Sequence, residues 1–135
     1  MKYYNGSLCG SGHEVHEKCD FKCVYCGYDG RAFPNWFQLT VDHVVPRSDP
    51  RFTDAAENKV TACHACNSIT SRMRFGPDES TSAILRKKQE RVRDRQRAFF
   101  EFWVEKVAPL YLGEWESATT GEELTSAQQD LRVEP

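Results

Sequence analysis

Two pairs of cysteines constrain the fold of this chain more than any other feature. Cys23 and Cys26 form one C-x-x-C pair, and Cys63 and Cys66 form a second pair further along the chain. Two thiolates three positions apart can bind one tetrahedral zinc ion, and two such pairs complete its coordination. Because a complete shell leaves no position for a substrate, the pattern predicts a structural zinc site.

Disulfide bonds, a redox-active C-x-x-C motif and unliganded core thiols are the alternatives to zinc. No β-α-β pattern accompanies the cysteines, which disfavours a redox site. Residues 1–10 hold no apolar signal core, so the expected compartment is the reducing cytoplasm, where paired cysteines usually bind metal. No apolar run is long enough to span a membrane, and no membrane contact is expected.

Charge is spread unevenly along the 135 residues, whose formal net charge is −2. Residues 113–135 contain six acidic side chains and one basic one, whereas residues 68–97 contain nine basic and four acidic side chains. The average charge argues against a wholly basic nucleic-acid binder. A basic region followed by an acidic tail is nevertheless typical of a protein that binds phosphate groups.

Breaks in composition divide the chain into four predicted segments. We expect an irregular N-terminal arm at 1–20, a core at 21–75, a basic and aromatic helix at 76–112, and an acidic, mobile tail at 113–135. Within the core, residues 36–45 and 58–61 favour strands, and residues 63–73 favour a helix. A long helix is predicted over 80–108, with Asp78 or Ser80 as its cap.

Four polar residues lie between the two cysteine pairs or directly after the second pair. Asp42 and His43 end the first predicted strand, Asn58 follows, and Asn67 comes directly after Cys66. This order and spacing resembles the HNH endonucleases, a family of ββα-metal (His-Me finger) nucleases in which flanking C-x-x-C pairs are frequent. The resemblance covers residues 21–75 and predicts an α+β fold, with a zinc-stapled ββα-metal core followed by a long C-terminal helix.

The resemblance also implies a role for each of the four residues. His43 would be the general base that takes a proton from water. Asp42 and Asn67 would bind one catalytic divalent ion, Mg²⁺ or Mn²⁺, and Asn58 would brace the loop that carries the histidine. Adjacent residues of a regular strand point to opposite faces. Asp42 and His43 can therefore approach one phosphate together only if the strand ends or distorts there.

The long helix supports more than one interpretation. Its basic half could bind phosphate groups or could simply be exposed to solvent. Its aromatic half could pack on the core or form a homodimer contact. Leu85, Val92, Phe99 and Trp103 recur at helical spacing and form one apolar stripe, for which these interpretations stay open. The candidate nucleic-acid-binding residues are Arg86, Lys87, Arg91 and Arg95.

A second metal site is left open near the N-terminus. Cys9, His13, His16 and Cys19 carry ligand atoms, but their spacing matches no common zinc module, and a flexible arm is the alternative.

The function predicted from the sequence is a metal-dependent endonuclease that hydrolyses phosphodiester bonds, with DNA favoured over RNA as substrate. A zinc-finger module that binds nucleic acid without cleaving it is the main alternative. An intact set of Asp42, His43, Asn58 and Asn67 disfavours that alternative, because binding alone does not require it. A toxin-like nuclease is a third interpretation, which no delivery segment supports.

Overall fold

The computed structural model describes residues 6–112, so the predicted acidic tail lies outside the described residues. These residues form a mixed α/β fold with a small antiparallel sheet and a long helix near the C-terminal end, which confirms the α+β prediction. The chain comprises two compact units, Met1–Val92 and Arg93–Pro135. The division into segments at residues 20, 75 and 112 stays a prediction.

Five main elements follow one another in the order αββαα. They are α1 (Ser11–Lys18), β1 (Leu39–His43), β2 (Lys59–Cys63), α2 (His64–Thr70) and α3 (Thr81–Phe102). Short 3₁₀ turns at Asn35–Gln38 and Ala56–Asn58 precede the two strands, and a π-helical turn at Trp103–Val107 follows α3. The strand, loop, strand, helix order predicted for the core is therefore confirmed.

The prediction of an irregular arm is wrong for Ser11–Lys18, which is α-helical. The buried face of α1 carries a polar residue: His16 is fully buried, and its Nδ1 lies 2.7 Å from Thr61 Oγ1. Its Nε2 donates to the carbonyl of Ser7, also at 2.7 Å. A helix anchored by hydrogen bonds instead of an apolar stripe has no periodic signal in its sequence.

Two other boundaries differ from the prediction, and one agrees with it. Residues 35–38 turn instead of extending, because Trp36 and Phe37 donate their N–H groups back to Ala32 and Pro34. The helix predicted to reach Met73 ends at Thr70. The long helix starts where its cap predicts, since Ser80 Oγ accepts the N–H of Ala83 at 3.1 Å.

The sheet places the cysteines and His43 at opposite ends of one ladder. In its antiparallel register, Leu39 pairs with Cys63 at one end and His43 pairs with Lys59 at the other. The sheet also has two distinct faces. Ala62 packs in a buried cluster with Cys66 and Val92, whereas its neighbour Thr61 bonds to His16 of α1.

Side chains from the N-terminal region cover both edges of the sheet. Val41 and Thr61 face each other across the ladder, and their N–H groups point outward from it. The N–H of Val41 donates to Ser7 Oγ at 2.9 Å, and that of Thr61 donates to Cys19 Sγ at 3.4 Å. Among residues 6–112, the structure contains no helix of sufficient length and apolarity to cross a membrane.

Candidate active site and metal centre

The four cysteines converge on one point. The Sγ atoms of Cys23, Cys26, Cys63 and Cys66 all lie within 4.8 Å of one another, and those of Cys26 and Cys63 are 3.8 Å apart. A tetrahedral zinc with Zn–S bonds of about 2.3 Å holds its sulfur ligands about 3.8 Å apart. The cluster therefore has the composition and dimensions of a structural zinc site.

Local backbone geometry explains how each cysteine pair forms. Gly27 follows the first pair with φ at 79°, a value that favours glycine, and its N–H donates to the carbonyl of Cys23 at 2.8 Å. The second pair spans the junction between β2, which ends at Cys63, and the first turn of α2. Strand β2 and helix α2 thus each contribute one cysteine to the same cluster.

The four thiols strongly perturb one another's ionisation. Hydrogen bonding to Cys26 lowers the pKa of the Cys23 thiol, whereas hydrogen bonding to Cys23 raises the pKa of the Cys66 thiol. Four thiols at this distance cannot all ionise beside one another without a cation. A divalent ion supplies that charge, which is why such clusters bind zinc.

The second candidate metal site is not assembled. Within residues 6–112, the cysteine cluster is the only group of three or more ligand side chains close enough to hold a metal ion. Both ring nitrogens of His16 are already engaged by Thr61 and Ser7, and Cys19 accepts the N–H of Thr61. The histidine and this cysteine therefore serve the packing of α1 against the sheet.

His43 lies at the end of β1 on the face that α1 covers. Its Nε2 lies 2.8 Å from Asp54 Oδ1, and its ring contacts the edge of Phe52 with centroids 5.0 Å apart. The hydrogen bond from His43 lowers the pKa of the Asp54 carboxyl, so Asp54 is an acceptor. This pairing places the proton on Nε2 and leaves Nδ1 as the basic nitrogen.

A cavity of about 220 Å³ lies beside His43, between α1 and the sheet. Its lining includes Ser11 and Gly12 of α1, Asp54 of the loop between β1 and β2, and Lys59 at the start of β2. Lys59 Nζ lies 3.5 Å from Asp54 Oδ1, so a cation stands beside the histidine and its acceptor. This arrangement joins a base, a positive charge and a space for a ligand.

Asp42 lies on the opposite face of β1 and has different partners. Its Oδ2 accepts hydrogen bonds from the hydroxyl of Tyr25 and, at 3.0 Å, from Lys88 Nζ. Burial and the charge of Asp42 raise the pKa of Tyr25, which remains a proton donor. Strand β1 remains regular through His43. The side chains of Asp42 and His43 therefore point to opposite faces of the strand.

Asn58 braces the loop between the strands. Its Oδ1 accepts the N–H of Val45 at 2.8 Å, and its Nδ2 donates to the carbonyls of Val45 and Thr53 at 3.0 and 2.8 Å. The side chain is 3% exposed. These contacts fix the chain on both sides of the loop that carries Asp54, the acceptor of His43.

Asn67 projects from α2 toward the face of β1 that carries Asp42. Its Nδ2 donates to Thr40 Oγ1 at 3.0 Å, and Thr40 lies two residues before Asp42 on the same face. This bond directs the amide oxygen away from Thr40. Asp42 and Asn67 carry carboxylate and amide oxygens, which are the kind of hard ligand that Mg²⁺ and Mn²⁺ prefer.

The basic side chains of α3 separate into an exposed group and a buried one. Lys88 is only 2% exposed and lies between Ile84 and Val92 on the buried side of the helix. Within the apolar stripe, Val92 is fully buried and Phe99 is 57% exposed. The four candidate phosphate-binding residues are all exposed: Arg86, Lys87, Arg91 and Arg95.

Three functional candidates were missed by the sequence analysis. Asp54 lies in a loop with no motif of its own, and Tyr25 lies between two cysteines that dominate the pattern. Lys88 belongs to a run of basic residues that resembles a solvated face. The spacing of four residues from Ile84 to Lys88 and again to Val92 was the one available sign of its burial.

Comparison with known protein families gives one match: residues 23–72 fit the family described as HNH endonuclease. That segment contains the cysteine cluster, both strands, α2 and the four motif residues. Comparison with curated proteins and with solved structures gave no significant match.

Proposed function

We propose, from the match of residues 23–72 to the HNH endonuclease family, that the chain hydrolyses phosphodiester bonds of nucleic acid, with DNA favoured over RNA. The observation that carries the proposal is the setting of His43. Asp54 holds its Nε2, the cavity opens beside it, and Lys59 adds a positive charge. A histidine that serves only packing has no need of an acceptor, a cation and a cavity together.

His43 acts as the general base in this proposal. With the proton on Nε2 and Asp54 as its acceptor, Nδ1 takes the proton from the attacking water. Asp54 orients the ring and stabilises the imidazolium that forms, so it is a positioning residue. Asn58 fixes the loop on which Asp54 lies.

Asp42 and Asn67 hold the divalent ion in this proposal. The ion, when bound, supplies positive charge to the phosphate and to the leaving oxygen. The side chains of Asp42 and His43 point to opposite faces of β1, so both can reach one phosphate only where it lies beyond His43, the last residue of the strand.

The zinc site has a separate, structural role. It lies at the end of the ladder away from His43, where Leu39 pairs with Cys63. Because Asn67 follows the ligand Cys66 directly, zinc binding fixes the helix that carries one proposed ligand of the divalent ion. Positioning of this kind is what metal sites require of the residues around them.

Replacement of His43 tests the catalytic proposal. We expect His43→Ala to lower the rate of plasmid cleavage in Mg²⁺ or Mn²⁺ by about 10²–10⁴, the usual contribution of a general base. Zinc content and nucleic-acid affinity should stay near those of the wild type. His13→Ala is the matched control, since His13 is exposed and contacts Glu17 within its own helix.

Two outcomes would contradict the catalytic proposal. Equal cleavage by His43→Ala and the wild type would remove His43 from the chemistry. A wild-type protein that binds DNA but cleaves neither DNA nor RNA in either metal would favour the alternative, a zinc-finger binding module.

We further propose that the exposed basic side chains of α3 bind phosphate groups. Neutralising four such residues together should weaken binding and flatten its dependence on salt, because fewer counterions are released from the nucleic acid. Affinity measured at several salt concentrations tests this, and an unchanged slope would indicate a solvated face. The residues to replace by glutamine are Arg86, Lys87, Arg91 and Arg95.

A further inference from the structure

Lys88 is a buried cation next to a residue proposed to bind metal. Its ammonium lies 3.0 Å from Asp42 Oδ2 and 2.8 Å from the backbone carbonyl of His43, and the side chain is 2% exposed. Its helical neighbours toward the core, Ile84 and Val92, are fully buried. Burial of an ammonium is costly unless its charge and donors are satisfied, so a lysine at this position requires a specific partner.

The partner of Lys88 is the carboxylate that the proposed divalent ion also uses. An ammonium and a divalent ion near one carboxylate repel each other, and the repulsion is strong where the surroundings exclude water. Asp42 carries one negative charge, which the ammonium already neutralises. Binding of the ion and the contact between Lys88 and Asp42 therefore oppose each other.

We propose that Lys88 is a built-in cation that competes with the divalent ion for Asp42. This inference rests on the proposed function, because it assigns a regulator to the same site. The carbonyl of His43 gives the ammonium a second acceptor, so release of Asp42 does not leave Lys88 without a partner. The flexible stem of lysine permits such a shift between neighbouring acceptors.

The competition predicts that removing the ammonium strengthens ion binding. Calorimetric titration of the zinc-loaded protein with Mn²⁺, without nucleic acid, should give an affinity at least about 10-fold higher for Lys88→Met than for the wild type. Lys87→Met is the matched control, because Lys87 is exposed and pairs with Glu79 instead. Equal or weaker binding by Lys88→Met, or no binding by either protein, would overturn the proposal.

A measurement on the wild type covers the case in which Lys88→Met does not fold. Nitrogen-15 NMR of the lysine ammonium groups should show that the Lys88 signal moves when Mg²⁺ is added, because its Asp42 partner is lost. The Lys87 signal serves as the internal reference and should stay in place. A Lys88 signal that does not move up to the solubility limit of the salt would overturn the proposal.

These experiments separate the inference from the proposed function. A protein that shows the competition but cleaves no nucleic acid would refute the nuclease proposal and leave the role of Lys88 intact. A metal-dependent nuclease whose Mn²⁺ affinity is unchanged in Lys88→Met would refute only the competition.

Discussion

The brace formed by Asn58 gives a stability prediction that can be worked from its contacts. Asn58→Ala removes three hydrogen bonds, two to the backbone of Val45 and one to the carbonyl of Thr53. Val45 is 6% exposed, so its N–H and carbonyl would be left unpaired in a place that water reaches poorly. The carbonyl of Thr53 lies in an exposed segment, where water can replace the lost donor.

The expected cost follows from these three groups. A buried polar group without a partner costs about 1–3 kcal/mol, and a replaced exposed bond costs less. The free energy of unfolding should therefore fall by about 3–5 kcal/mol, out of the roughly 5–15 kcal/mol typical of a domain. One kcal/mol corresponds to about 4–8 °C for a domain of 60–100 residues, so the melting temperature should fall by more than about 10 °C.

Asn67→Ala is the matched control for this prediction. Asn67 is half-buried and makes one side-chain bond, to Thr40 Oγ1, so its loss should cost only about 1 kcal/mol. Urea unfolding at fixed zinc, with no added Mg²⁺, compares the two variants directly. A difference between them below about 1 kcal/mol would refute the idea that Asn58 braces the loop.

Two further predictions concern the zinc site and the buried histidine. Metal analysis of the purified protein should find about one zinc per chain. Cys63→Ala should lose both the metal and the fold, since zinc contributes about 10–16 kcal/mol to the stability of such modules. A Cys63→Ala variant that is folded and free of zinc would contradict this prediction. Burial holds the pKa of His16 below its usual value, so the unfolded chain takes up a proton first, and stability should fall as the pH drops below about 6.5. Urea midpoints at several pH values should show a flatter dependence for His16→Gln than for the exposed control His13→Gln, and equal slopes would contradict the assignment.

The parts of the fold that could be predicted are those with a local chemical signature. Cysteine spacing identified the cluster of Cys23, Cys26, Cys63 and Cys66, because thiolates that share an ion must meet. A segment rich in β-branched and aromatic residues located β1, and the cap at Ser80 located the start of α3. In each case the residues that decide the structure lie close together in the sequence.

The parts that could not be predicted depend on contacts between distant segments. Helix α1 is held by a histidine that bonds to Thr61, 45 residues away. The role of Asp54 depends on a loop that returns to His43, and the burial of Lys88 depends on where α3 packs against Asp42. A charged side chain resembles a surface residue in the sequence whenever its partner lies in another element.

The coverage of the two sheet edges by the N-terminal region has a consequence for solubility. A two-stranded sheet has no interior strand, so both of its strands present unpaired groups that can template pairing with another chain. Ser7 and Cys19 occupy the outward N–H groups of Val41 and Thr61. The segment around α1 therefore protects the sheet against edge-to-edge association, and a truncated chain that starts at the first zinc ligand would be prone to aggregate even with its metal bound.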